Sequence, residues 1–144
     1  MKKYIGNSIF AVIAGFVTGV IVIFIVEGFS RNLYPYPDGL DFSDKEALAA
    51  FVNSLPIAAM LFVVLAWAMG ASIAAIVTTL IAKARQLQLS LFVGILLLGF
   101  GIFTMLRNPH PLWFWIVGIA VFIPFAWLGH YLLTRKESEP KIKI

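Results

Sequence analysis

Residues Ala47 to Ala82 read ALAAFVNSLPIAAMLFVVLAWAMGASIAAIVTTLIA, without a single charge. One helical crossing of about 30 Å of hydrocarbon needs about 20 predominantly apolar residues. The run is too long for one crossing and has to be divided. Pro56 suits the first turn of a helix, so a span is expected over 56–82, preceded by a short helix through Ala47 to Val52. Two arrangements fit: a separate short helix ahead of the span, or one helix kinked at Pro56.

The rest of the chain repeats the pattern. Uncharged runs cover Tyr4–Val26, Gln86–Leu106 and Asn108–Thr134. The 144 residues are 61% hydrophobic and 12% charged, and the mean hydropathy is +0.95. A soluble domain carries roughly 45–50% apolar and about 25% charged residues, so that class is excluded. The expected fold is all-α: a single transmembrane four-helix bundle, up-down-up-down, with spans near 5–29, 56–82, 87–105 and 112–133. An outer loop over 30–55 carries the short extracytoplasmic helix, and 134–144 forms a cytoplasmic tail. The first run follows Lys2 and Lys3 but exceeds the roughly 7–15 apolar residues of a signal peptide, so a retained anchor is expected.

Orientation follows the basic residues of short loops. Lys2, Lys3, Lys83, Arg85, Arg135, Lys136, Lys141 and Lys143 fall on one side, and Arg31, Lys45 and Arg107 on the other. This asymmetry places both termini in the cytoplasm. It also accounts for the pI near 9.6 without any nucleic-acid partner. The short connections Lys83–Gln86 and Leu106–Pro111 make spans two, three and four antiparallel neighbours. Each span carries small residues suited to close helix approach: Gly15 and Gly19; Ala66, Gly70, Ala74 and Thr78; Gly94, Gly101 and Thr104; Gly118 and Gly129. These faces serve packing within one chain or assembly into a homo-oligomer. Pro124 removes one backbone bond inside span four, which predicts a kink.

Chemistry-bearing residues are few. Glu27 is the only acid embedded in a span, and ionisable groups in membranes are costly and often functional. Arg31 lies at i+4, and Arg107 is expected on the same side of the membrane. These three make either a local ion pair or an ion or proton site. Glu27 is turned about 120° around the helix from Gly15, so it need not face the partner of the glycine pair. His110 and His130 are expected at opposite interfaces and cannot share a metal. The deep-lying Trp67 needs a partner for its indole N–H and is expected in the core.

In the outer loop, Pro35 stops span one, Pro37-Asp38-Gly39 signals a turn, and Ser43 with Glu46 forms a capping box. Tyr36, Asp38, Asp41 and Asp44 are the candidate partner-binding residues of that loop. The aspartates lack the EF-hand spacing, so no metal is expected. No nucleophile–base pair, P-loop or zinc motif occurs, and with no cysteine there is no thiolate chemistry. Neither enzymatic activity nor a cofactor is expected. The expected partners are the lipid bilayer and a second copy or another membrane protein. A structural or partner-binding role leads, with a small transporter or channel subunit as the alternative.

Four strings carry a resemblance: Pro35-Tyr36-Pro37-Asp38-Gly39-Leu40-Asp41-Phe42-Ser43-Asp44, Leu65-Ala66-Trp67-Ala68-Met69-Gly70, Pro109-His110-Pro111-Leu112-Trp113-Phe114 and Pro124-Phe125-Ala126-Trp127-Leu128-Gly129. Together they resemble an uncharacterised group of small bacterial four-span integral membrane proteins. The resemblance implies a bacterial inner-membrane location. It implies no activity and transfers no functional residue.

Overall fold

The computed structural model describes residues 4–138. Among them are five helices and no strand: α1 (Ile5–Leu33), α2 (Lys45–Ser54), α3 (Ile57–Ile81), α4 (Gln86–Arg107) and α5 (Leu112–Ser138). All but α2 are long and apolar enough to cross a membrane. The chain is therefore all-α, with the composition and helix lengths of a multi-pass membrane protein.

The helix limits follow local chemistry. α1 continues past Phe29 to Leu33, where Tyr34 N–H closes the last turn onto Ser30 O at 2.8 Å. The stop comes just before Pro35, which disfavours helical backbone at the preceding residue. The same rule decides between the two arrangements at Pro56. Leu55 is extended (φ −68°, ψ 139°), and Pro56 (φ −64°, ψ 151°) is the N-cap of α3. α2 and α3 are thus separate helices rather than one kinked rod.

The capping box needs correction. The Ser43 hydroxyl donates to Asp41 Oδ1 at 2.6 Å and does not cap the helix. Asp44 is the N-cap, accepting from Glu46 N at 2.9 Å and Ala47 N at 3.2 Å, so α2 begins one residue later. Both side chains can cap, but a carboxylate is the stronger acceptor at the positive end of a helix. At the other end of the chain, α5 runs through Pro124 to Ser138, so the stretch expected as a tail from 134 begins as helix. Lys2, Lys3, Lys141 and Lys143, used above for orientation, lie outside the described residues.

α3 lies at the centre, packed against α1, α4 and α5. Its buried face is built mainly from Ala and Gly. Rising numbers on α1 meet falling numbers on α3: Gly15 abuts Ala74 and Thr78, Gly19 abuts Ala74 and Gly70, and Ile23 abuts Gly70. A Cβ at Gly15 would lie 2.7 Å from the Ala74 carbonyl oxygen, so only glycine permits this approach. Gly94 and Gly101 admit Ala126 and Phe122, and Gly118 admits Trp67. Gly129 seats against the Ser72 backbone. The small-residue faces are therefore engaged inside the chain. Large apolar side chains such as Ile9, Phe10, Phe24 and Phe29 point outward. Large residues outside and small residues within is the pattern of helices that associate by close packing in lipid rather than by hydrophobicity.

Candidate functional site

The buried end of Trp67 defines the site. Its indole is 2% exposed, stacked on Phe122 at 5.3 Å and edge-on to Phe114 at 5.4 Å. A buried indole N–H needs an acceptor. It finds Glu27, with Trp67 Nε1 donating to Glu27 Oε1 at 3.2 Å. Sequence reasoning singled out both groups but did not join them, because Glu27 lies 120° from Gly15. In the structure Glu27 and the glycine pair meet the same helix, α3. Positions 15, 19, 23 and 27 form a four-residue row that follows α3 along its length. Such a row is inclined to the helix axis and stays on a neighbour that crosses at an angle.

Glu27 opens onto a cavity of about 160 Å³. α1 supplies Ser30 and Arg31, with Tyr34 just beyond its end, α3 supplies Met60 and Val63, and the α4–α5 connection supplies Asn108 and His110. α2 covers it with Leu48, Phe51 and Val52. Leu48 and Val52 are buried, so the short helix rests on the bundle through its apolar face.

Of the three residues expected to form a site, the structure brings together two. Arg31 lines the same cavity as Glu27, but the carboxylate turns to the indole and forms no ion pair with it. Arg107 stands apart, its guanidinium 5.8 Å from the centre of the Phe103 ring. Among the described residues no three His, Asp or Glu side chains converge as a metal site would require.

His110 stacks on Phe114 at 4.5 Å, and its Nδ1 lies 2.7 Å from Asn108 O. A carbonyl only accepts, so Nδ1 carries the hydrogen and Nε2 of the neutral ring is left as an acceptor. Burial pushes the His110 pKa below its ordinary value, against the opposing pull of the Asn108 carbonyl.

The candidates in the α1–α2 loop serve mainly local order. Tyr36 packs against Phe42 at 5.1 Å and Phe51 at 5.3 Å, which ties the loop to α2. Asp41 holds the Ser43 turn, and these hydrogen bonds lower its pKa. Asp44 caps α2. Asp38 is exposed, beside Gly39 at φ +79°.

A second polar cluster, at the other end of α3, was not legible as a cluster. Thr79 is 2% exposed. Its hydroxyl lies 2.9 Å from Ser90 Oγ and 3.0 Å from His130 Nδ1, tying α3 to α4 and α5. Ser90 also donates to Ala75 O at 3.2 Å. Nearby, Gln86 Nε2 donates to Thr79 O and Ala82 O, and Asn7 Nδ2 donates to Ile81 O at 3.0 Å. These side chains satisfy carbonyls that the end of a helix leaves without intrahelical partners. His130, expected as an interfacial residue, is a member of this interhelical network. Compared with known proteins, the chain matches no family model, no curated protein and no solved structure.

Proposed function

We propose that the chain is a small multi-pass protein of the bacterial inner membrane that captures a small ligand, without catalysis, in the cavity at Glu27. Its spans run up-down-up-down with both termini in the cytoplasm, so the cavity and α2 lie on the outer side. The reversed numbering along the α1–α3 seam and the distribution of basic residues support this topology. The resemblance to small bacterial four-span proteins supports the location.

One observation carries the functional reading. The one acid set within a span is anchored by Trp67 on one oxygen and lines a cavity of about 160 Å³ roofed by a separate helix. Ionisable groups within membrane spans are rare and costly and mark substrate or ion pathways, which makes Glu27 a functional-site candidate. Native mass spectrometry of protein extracted with its own lipids tests the reading. A small molecule retained by the wild type and lost from a folded Glu27→Gln variant is expected. Identical spectra for the two would refute it. A transport role for the same site predicts ion or proton flux that Glu27→Gln abolishes.

Partner docking by the outer loop has one specific support, the exposed pair Asp38 and Phe42 beside the Gly39 turn. Deleting Asp38–Ala50 should then dissolve a crosslinked complex. A homo-oligomer would have to use outward apolar faces, because the glycine faces are already engaged.

A further inference from the structure

We propose that the ligand of this cavity is a small zwitterion, an ammonium and a carboxylate a few bonds apart, as in an amino acid or a betaine. The proposal rests on the reading of the cavity as a binding site and adds the class of molecule it takes.

The charges on the wall are the first ground. Glu27 and Arg31 stand four residues apart on α1, about 6 Å along the axis. At that spacing an acid and a base commonly pair. Here Glu27 Oε1 takes the Trp67 N–H, and Oε2 accepts from no donor among the described residues, yet is not sealed from solvent. Arg31 lies on the exposed rim of the same cavity, near enough for its charge to act on the carboxylate. One acidic and one basic residue therefore border a common space with no ion pair between them. A simple cation would meet Arg31, and a simple anion would meet Glu27. A zwitterion satisfies both and carries no net charge into a site walled largely by apolar side chains, where an uncompensated charge is costly.

The second ground is the aromatic surface of the lining. Tyr34, Tyr36 and Phe51, none of them fully buried, border the same cavity, and aromatic faces attract an ammonium, a quaternary one included. The third is size. A cavity of about 150 Å³ takes a molecule the size of benzene, so about 160 Å³ takes roughly six to eight heavy atoms. Glycine betaine and proline are of that size.

The test uses full-length protein in lipid nanodiscs at low salt, with tryptophan fluorescence as the signal and Trp67→Phe to confirm its source. Four probes are titrated: glycine betaine, proline, choline (a cation without the carboxylate) and tert-butylacetate (the betaine shape without the cation). At least one zwitterion should bind about tenfold or more tighter than choline and tert-butylacetate. Arg31→Gln should reduce zwitterion binding to the level of choline and leave choline unweakened. Glu27→Gln should abolish the binding of the three probes that carry an ammonium. If Glu27→Gln fails to fold, Arg31→Gln, at an exposed position, carries the test alone. Choline binding as tightly as betaine, indifferent to Arg31→Gln, would overturn the zwitterion and leave a cation-binding cavity. A preference for tert-butylacetate would overturn it likewise. Binding of none of the four would overturn both the ligand class and the binding reading.

Discussion

The Trp67–Glu27 hydrogen bond should appear as a measurable coupling between α1 and α3. A double-mutant cycle isolates it, using Trp67→Phe, which removes the donor, and Glu27→Met, which removes the acceptor. At 3.2 Å the bond is longer than the roughly 2.7–2.9 Å of a strong charge-assisted contact. It therefore belongs at or below the low end of the about 1.5–3 kcal/mol found for bonds to charged groups. Interhelical hydrogen bonds in membranes average about 0.6 and reach about 1.7 kcal/mol. The two scales meet near a coupling of about 1 kcal/mol. Trp67→Phe alone should cost about 2 kcal/mol, because the smaller ring also gives up contact with Phe114 and Phe122 and leaves a void. Unfolding in mixed micelles of rising dodecyl sulfate content, followed by far-ultraviolet circular dichroism, gives the four free energies. The chain has no cysteine for a thiol dye, and fluorescence would change with Trp67 itself. Additivity of the two substitutions within about 0.3 kcal/mol would show that the indole and carboxylate do not interact.

Gly129→Ala should destabilise by about 1–3 kcal/mol in the same titration, because its Cβ would lie 2.9 Å from Ser72 backbone atoms that cannot rotate away. Gly99→Ala, with nothing within 4 Å, should be neutral or slightly stabilising. Burial holds the folded-state pKa of His110 below its unfolded value. The unfolded chain therefore takes up that proton first as the pH falls. The stability linked to His110 is fully present above about pH 6.5 and is lost as the pH drops through the lower folded-state pKa. His110→Gln should flatten that part of the melting-temperature profile. Asp44→Ala should speed amide exchange at the start of α2 by an amount equivalent to about 1 kcal/mol, whereas Ser43→Ala should leave it unchanged. Equal effects of the two would restore Ser43 as the cap. Thr79→Val should cost about 1 kcal/mol in the micelle titration, since Thr79 joins both Ser90 and His130.

The spans were legible because the demand for about 20 apolar residues dominates every other local preference. Their ends were less so. Glu27 and Arg31 interrupt the apolar pattern of α1 but not its helix, which continues until the Pro35 constraint acts four residues beyond the expected limit. The division at Pro56 was visible, yet the choice between a break and a kink turned on the backbone of Leu55, a one-residue conformation. At the cap, two adjacent competent side chains made the sequence ambiguous, and the carboxylate prevailed. For the site, each member was identifiable as a costly group, but the pairing was not. Glu27 and Trp67 are 40 residues apart, and their meeting depends on which helices touch and on the crossing that keeps the row at 15, 19, 23 and 27 on α3. The Thr79–Ser90–His130 cluster escaped for the same reason, since it draws one residue from each of three helices.

The separation of the two polar clusters bears on how a ligand at Glu27 could move. Trp67 and Thr79 are about 18 Å apart along α3. Between them the buried positions of α3 are Ala68, Gly70, Ala71, Ala74, Ala75 and Thr78, packed against such side chains as Ile23 and Leu97. A charge leaving Glu27 toward the His130 end would enter close-packed hydrocarbon whose one polar side chain at those positions, Thr78, already donates to Ala74 O, an expensive step in a low-dielectric interior. Inward passage would require α1 to part from α3, along a seam where Gly15 and Gly19 already meet Ala74 and Gly70 without room for a methyl group. On the loop side the barrier is smaller. α2 is held by its apolar face and by the Tyr36 ring against Phe51, and is joined to α3 through the extended Leu55–Pro56 pair. In the binding reading, displacement of α2 is therefore the route with the least loss of packing, and capture and release take place from the same side.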